Sequence, residues 1–233
     1  MMRRALALSL FLALAGVPAA QAAALRVSPV GLELPPGQAA AVLTLRNDDV
    51  EALNVQVRVF KWTQRDGRDV LEPATDVVAS PPIGKVAPGA SRTVRIVRLS
   101  TQPVTSEETY RLIVDELPPP LSEQGHQVKL LMRHSVPLFF SPGGRPRVDW
   151  TMASGGDGQL LNAVNGGDRH MRLANVKIMD AAGAVVAERK GLVGYVLPGA
   201  SMAWPMDGLT PRDGLHLVAE TDLGPIDAPL PRH

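Results

Sequence analysis

The chain has 233 residues, 45% of them apolar but only 4% aromatic, and its 24 basic residues nearly cancel its 23 acidic ones. That length suits one large domain or two of about 100 residues each, with cores of Val, Leu, Ile and Ala rather than stacked rings. Balanced charge argues against the concentrated basic face of a nucleic-acid binder, and the absence of cysteine excludes disulfides, thiol nucleophiles and thiolate metal sites.

The chain opens on a targeting segment. Arg3 and Arg4 precede an apolar run from Ala5 to Val17, and Ala20-Gln21-Ala22 gives the small-x-small pattern that signal peptidase reads. Residues 1–22 are therefore expected to be a signal peptide, cleaved after Ala22. The run is short for a spanning helix and no later stretch could cross a bilayer, so export without membrane insertion is expected.

After the leader come short strands between turns. Ala41 to Leu45 is a strand ending in the turn Asn47-Asp48-Asp49, and Asn54 to Phe60 alternates strictly, with Val55, Val57 and Val59 on one face. Gln64 to Arg68 is a turn, Ser80-Pro81-Pro82 a break and Pro88-Gly89 another turn. Thr93 to Leu99 and Tyr110 to Leu117 are strands, the second stopped by Pro118-Pro119-Pro120, and Gln127 to Phe140 is a long strand. Ser141-Pro142-Gly143-Gly144-Arg145-Pro146 is the best boundary, a tight and partly stiff bend. Beyond it strands are expected at Leu173 to Met179, Val185 to Glu188, Gly194 to Leu197 and Leu215 to Glu220. Ala182-Gly183, Pro198-Gly199 and Asp213-Gly214 are turns. No amphipathic helix, sequence repeat or low-complexity tract stands out. The expected fold is all-β, two β-sandwiches in series, divided as 23–141 and 142–233.

Catalytic and metal chemistry find little support. The chain has no Gly-x-Ser-x-Gly elbow and no His-Glu-x-x-His pair. His126, His134, His170, His216 and His233 are scattered singly, and the methionines after the leader are dispersed, so no metal site and no cofactor are expected. The informative stretch is Gln127 to Phe140. Val128, Leu130 and Met132 fall on one face, continued by His134 and Val136, while Lys129, Leu131, Arg133 and Ser135 fall on the other. Pro137 cannot donate a ladder hydrogen bond, which suits a sheet edge. A long edge strand with an apolar face invites pairing with another chain. Taken alone, the pattern favours a face packed inside its own sandwich.

The chain resembles the periplasmic pilus chaperones of the chaperone–usher pathway over nearly all of the sequence after the leader. The resemblance is carried, in order, by Ser80-Pro81-Pro82 with Pro88-Gly89, Val94-Arg95-Ile96, Tyr110-Arg111-Leu112 leading into Glu116-Leu117-Pro118-Pro119, and Leu138-Phe139-Phe140 with Pro142. Arg133 to Phe139, Leu161-Asn162 through Asn165-Gly166, His170, Arg172-Leu173 and Tyr195 to Ala200 look like the archaic branch, whose subunits are of the spore-coat-U type. The resemblance implies a non-enzymatic periplasmic protein of two immunoglobulin-like sandwich domains with a cleft between them. It would stabilise pilus subunits by donor-strand complementation and deliver them to an outer-membrane usher, with self-capping oligomers open to the unloaded state. Val128, Leu130, Met132, His134 and Val136 would then enter the open groove of a subunit, by strand addition. In better-known members an Arg and a Lys between the domains grip the subunit's terminal carboxylate. Those positions fall here at Gly31 and Pro137, which cannot, so Arg95, Arg98, Arg111 and Arg133 become the candidate anchors. The alternative is a two-domain structural or adhesive protein of the cell surface.

Overall fold

The structure, a computed structural model, describes residues 25–118, 130–155 and 158–231. The expected leader 1–22 and its cleavage point lie outside the described residues, as do Gln127, Val128 and Lys129 of the expected long strand. The described residues form strands and no helix, so the fold is all-β.

Two sandwiches follow one another. In the first, β1 (Leu25–Ser28), β3 (Ala40–Asn47), β8 (Ser91–Arg98) and β6 (Val77–Ser80) form one sheet in that order. Facing it is a sheet ordered β2 (Leu32–Leu34), β10 (Arg133–Phe140), β9 (Glu108–Leu117), β4 (Leu53–Arg65) and β5 (Arg68–Pro73), with β7 (Ile83–Val86) also on β4. The second sandwich sets β11 (Val148–Gly155), β12 (Gly158–Asn165) and β15 (Ser201–Met206) against β14 (Val185–Val196), β13 (Met171–Met179), β16 (Leu215–Thr221) and β17 (Gly224–Leu230). Every pairing is antiparallel except β2 on β10.

Side-chain alternation explains the layers. Along β4, Val55 and Val57 are buried while Gln56 and Arg58 are not, and along β3 Leu43 and Leu45 are fully buried. As the composition demands, each core is mainly aliphatic. Two expected strands, Val185 to Glu188 and Gly194 to Leu197, are one strand, β14. It runs through register shifts against β13, and Gly191 takes the left-handed φ of 74° that such an irregularity needs. The hairpin of β11 and β12 was not foreseen, because Ser154 and Gly155 dilute its alternation.

Two corners are built alike. Val86-Ala87-Pro88-Gly89-Ala90-Ser91 is echoed by Val196-Leu197-Pro198-Gly199-Ala200-Ser201. Each is held by a fully buried asparagine. Asn47 Nδ2 donates to Glu51 O (2.6 Å) and Val86 O (3.1 Å), and its N–H donates to Ala90 O (3.0 Å). Asn165 Nδ2 donates to Arg169 O (2.7 Å) and Val196 O (3.0 Å), and its N–H donates to Ala200 O (2.9 Å). The repeat is six residues long and its asparagines sit far upstream, so it is invisible as a sequence period. Replacing either asparagine by alanine strands buried carbonyls, and each variant should lose about 3 kcal/mol in urea unfolding. Loss of less than about 1 kcal/mol would mean that water takes over the corner.

Candidate functional site

The edge of β10 is only partly covered. One side pairs with β9 from Arg133↔Asp115 to Phe140↔Glu108. The other side meets β2 at Leu138, Phe139 and Phe140 alone. From Arg133 to Pro137 the outer edge has no strand on it among the described residues, and Pro137 contributes no N–H there. Regular β10 begins at Arg133, so Leu130, Leu131 and Met132 of the expected strand lie outside it. Just before it, Leu130, Leu131 and Met132 are 84%, 42% and 38% exposed. His134 is half-buried opposite Val114, and its Nε2 atom has no hydrogen-bond partner. Val136 departs from the expected donor set. At 3% exposure opposite Leu112 it belongs to this chain's own core, because at that point the facing sheet closes over the inner face of β10.

The four candidate cations lie in different surroundings. Arg95 is exposed on the outer face of the β1-β3-β8-β6 sheet, between Val42 and Ser80. Arg98 is buried and fully engaged. Its fork meets Glu108 at 2.8 and 2.7 Å, and Nη1 donates to Ser100 O and Gln102 O. That fork holds the Glu108 carboxyl below its ordinary range. Arg133 shares Asp115 with Arg58, one arginine on each carboxylate oxygen. Burial pushes the Asp115 carboxyl up, but the two arginines outweigh it and the group sits below its usual range.

Arg111 is different. It stands opposite Pro137 on one side and Phe60 on the other, and a Cβ on Gly31 would lie 3.6 Å from Pro137 Cγ. The two positions expected to lack an anchor are thus neighbours, and Arg111 is the next residue across the sheet. Its guanidinium lies over the Trp62 ring at 3.7 Å and 5.1 Å from the Tyr195 ring. No hydrogen bond or ion pair engages it among the described residues. Burial pulls its pKa down, partly opposed by Tyr195 and Asp69.

Tyr195 comes from the second sandwich, so the cation sits at the junction. Trp62, Phe139, Tyr195, Leu197 and Ala200 form a separate buried cluster there. Trp62 meets Tyr195 edge-on at 5.3 Å, and His170 stacks on Phe139 at 3.5 Å. The Glu107 side chain, fully buried, accepts the His170 N–H at 2.7 Å and lies 3.0 Å from its Nδ1. Gln64 spans the junction: its Nε2 donates to Tyr195 O and its Oε1 accepts from Leu197 N, both at 2.9 Å. Arg169 forms an ion pair with Glu33. Sequence reasoning put Gln64 in a turn and passed over Trp62 and Glu107. The available signal was the scarcity of aromatics, since such rings are too few to be spent at random.

A family model described as pili and flagellar-assembly chaperone, PapD N-terminal domain, matches residues 24–146. The chain belongs to this family. The chaperone protein PapD of Escherichia coli is 30% identical over 117 residues, 46% of this chain and 45% of PapD, so the match spans about half the length of that relative. Among solved structures, the complex of the chaperone CsuC with the tip subunit CsuE, from archaic chaperone-usher Csu pili of Acinetobacter baumannii, is similar at a TM-score of 0.71 and 24% identity. That match covers 91% of this chain and all of the matched one. The Salmonella enterica SafA pilin in complex with the SafB chaperone matches at 0.63 and 19%, over 90% of this chain and 98% of the matched one. These likenesses establish two chaperone-like sandwiches as the fold.

The two ends of the edge segment should answer differently to charge. Val136→Asp puts a carboxylate into the first core and should cost more than about 4 kcal/mol, or prevent folding. Leu130→Asp changes an exposed side chain and should leave the melting temperature within about 2 °C of the parent. A large drop for Leu130→Asp would mean that Leu130 is a core residue after all.

Proposed function

We propose that this protein is a periplasmic chaperone that holds fimbrial subunits by lending them a strand, without catalysis, and passes them to an outer-membrane usher. The observation that carries the reading, in a chain of this family, is the open edge of β10 with Leu130 and Met132 in solvent just before it. A subunit lacking its last strand offers an open apolar groove. Main-chain pairing along Arg133 to Pro137 would give affinity, and Leu130 and Met132 would fill the groove at alternate positions. Each buried side chain would contribute about 1.5–3 kcal/mol. Met132, unbranched, suits a groove that differs between subunits. Val128, outside the described residues, continues the period.

Arg111 is the carboxylate anchor in this reading. It is the one of the four candidates that is neither fully exposed nor already paired, it sits at the junction against the Trp62 and Tyr195 rings, and its planar fork of donors matches a carboxylate. Replacement of the expected Arg and Lys by Gly31 and Pro137, with an arginine on the adjacent strand, supports the archaic branch and spore-coat-U-like subunits. The leader 1–22, a donor unit of 23–141 and a second unit of 142–233 complete the proposal.

The test is co-expression with a candidate subunit and purification of the pair from the periplasm. Leu130→Asp and Met132→Asp should fold and lose most of the captured subunit, because a charge would enter an apolar groove unpaired. Arg111→Ala should weaken capture, and should do so only while the subunit ends in its natural carboxylate. Full capture by a folded Leu130→Asp protein would sink the strand-lending mechanism. Equal loss with a blocked carboxylate would remove Arg111 from the anchor role.

A further inference from the structure

The ladder between β9 and β10 does not stop where the regular strand does. Beyond Arg133↔Asp115 the next pair is Met132 and Glu116, and the Glu116 N–H donates to Met132 O at 3.0 Å. In an antiparallel pair of this kind the second bond is returned, from Met132 N–H to the Glu116 carbonyl. Here it goes elsewhere. The Met132 N–H donates to the Glu116 side chain, at Oε2, 3.3 Å away. Regular β10 starts one residue later.

The carboxylate that intercepts this bond is itself poorly served. Glu116 is 5% exposed and its Oε1 atom has no hydrogen-bond partner. Arg58 and Arg133 line the same groove but both are spent on Asp115. A buried carboxylate with a single long amide bond costs stability, and an apolar residue opposite Val55 and Met132 would pack with less cost. What the carboxylate achieves is local. It holds the Met132 amide out of ladder geometry at the point where exposed Leu130 and Met132 begin.

We propose that Glu116 is a built-in strand stop. It ends β10 at Arg133 while the protein is unoccupied, and it must release the Met132 amide for the strand to lengthen. The proposal rests on the reading that this segment is the one lent, and adds how the segment is kept out of strand form until then. A finished edge strand with Leu130 and Met132 on one face would be a template for a second copy of the chain. A side-chain acceptor prevents that at the cost of one poorly solvated charge.

The purified full-length protein, without a subunit, is enough for the test. Backbone chemical shifts and amide exchange of Leu130, Leu131 and Met132 would be compared in the parent, Glu116→Gln and Glu116→Ala, with sedimentation at several concentrations. In Glu116→Ala the Met132 amide should return to the Glu116 position's carbonyl. Shifts should become strand-like, Met132 exchange should slow at least about tenfold, and a concentration-dependent dimer should appear. Glu116→Gln keeps an acceptor oxygen and should resemble the parent. Glu116→Leu fills the buried volume, should behave like Glu116→Ala, and should melt no lower than the parent, which guards against a folding defect. Parent-like shifts and exchange in both Glu116→Ala and Glu116→Leu would overturn the proposal, as would a parent already strand-like at these residues. Subunit capture is a separate readout: a lengthened strand in Glu116→Ala together with full capture by Leu130→Asp would leave the stop standing and remove the chaperone mechanism instead.

Discussion

The alternation of side chains along β10 is the constraint on which the rest depends. Val136, Leu138 and Phe140 point inward and are buried in the first core, while Phe139, pointing outward, is buried against the second sandwich. From Val136 onward the strand is therefore fixed from both faces at once. Toward its start it loses β2 from its edge, and just before Arg133 its apolar side chains reach solvent. A single strand is rooted at one end and unsatisfied at the other, and a two-residue period produces both conditions.

The same outward face carries the junction. Phe60, Arg111 and Pro137 lie in one row across the sheet, and Thr109 and Phe139 in the next. Tyr195 reaches that face from the second sandwich, so the surroundings of Arg111 are complete only when the two sandwiches are docked. The second sandwich thus contributes to the proposed anion site without supplying a charge. The Glu107–His170 pair, the Glu33–Arg169 pair and the Gln64 hydrogen bonds hold it beside that face.

Much of this was legible in the sequence, and the unread parts share a cause. Strict alternation at Val55 and Val57 identified a half-buried strand, and Pro137 identified a sheet edge, because both are local properties of a few neighbouring residues. Val136 was read as part of the lent face because it shares a period with Leu130 and Met132. The period says which side a residue points to, but not where the facing wall ends. Arg111 could not be separated from Arg95, Arg98 and Arg133 by type. Only the register opposite Pro137, and the arrival of Tyr195 from far along the chain, distinguish it. Glu107 and Gln64 were missed for the same reason, since their partners, His170, Tyr195 and Leu197, are remote in sequence.

Gln64 fastens the junction with the chemistry of a peptide group, one donor and one acceptor on a planar amide, applied to the N–H of Leu197 and the carbonyl of Tyr195. That choice narrows what substitution can do. An apolar contact at a junction accepts several side chains of similar volume. A carboxamide facing a donor and an acceptor has two natural forms, Asn and Gln, and Asn is one methylene shorter. Glutamate has the reach but no donor for Tyr195 O, and lysine has donors but no acceptor for Leu197 N. Position 64 is therefore among the least exchangeable positions of the surface that joins the two halves.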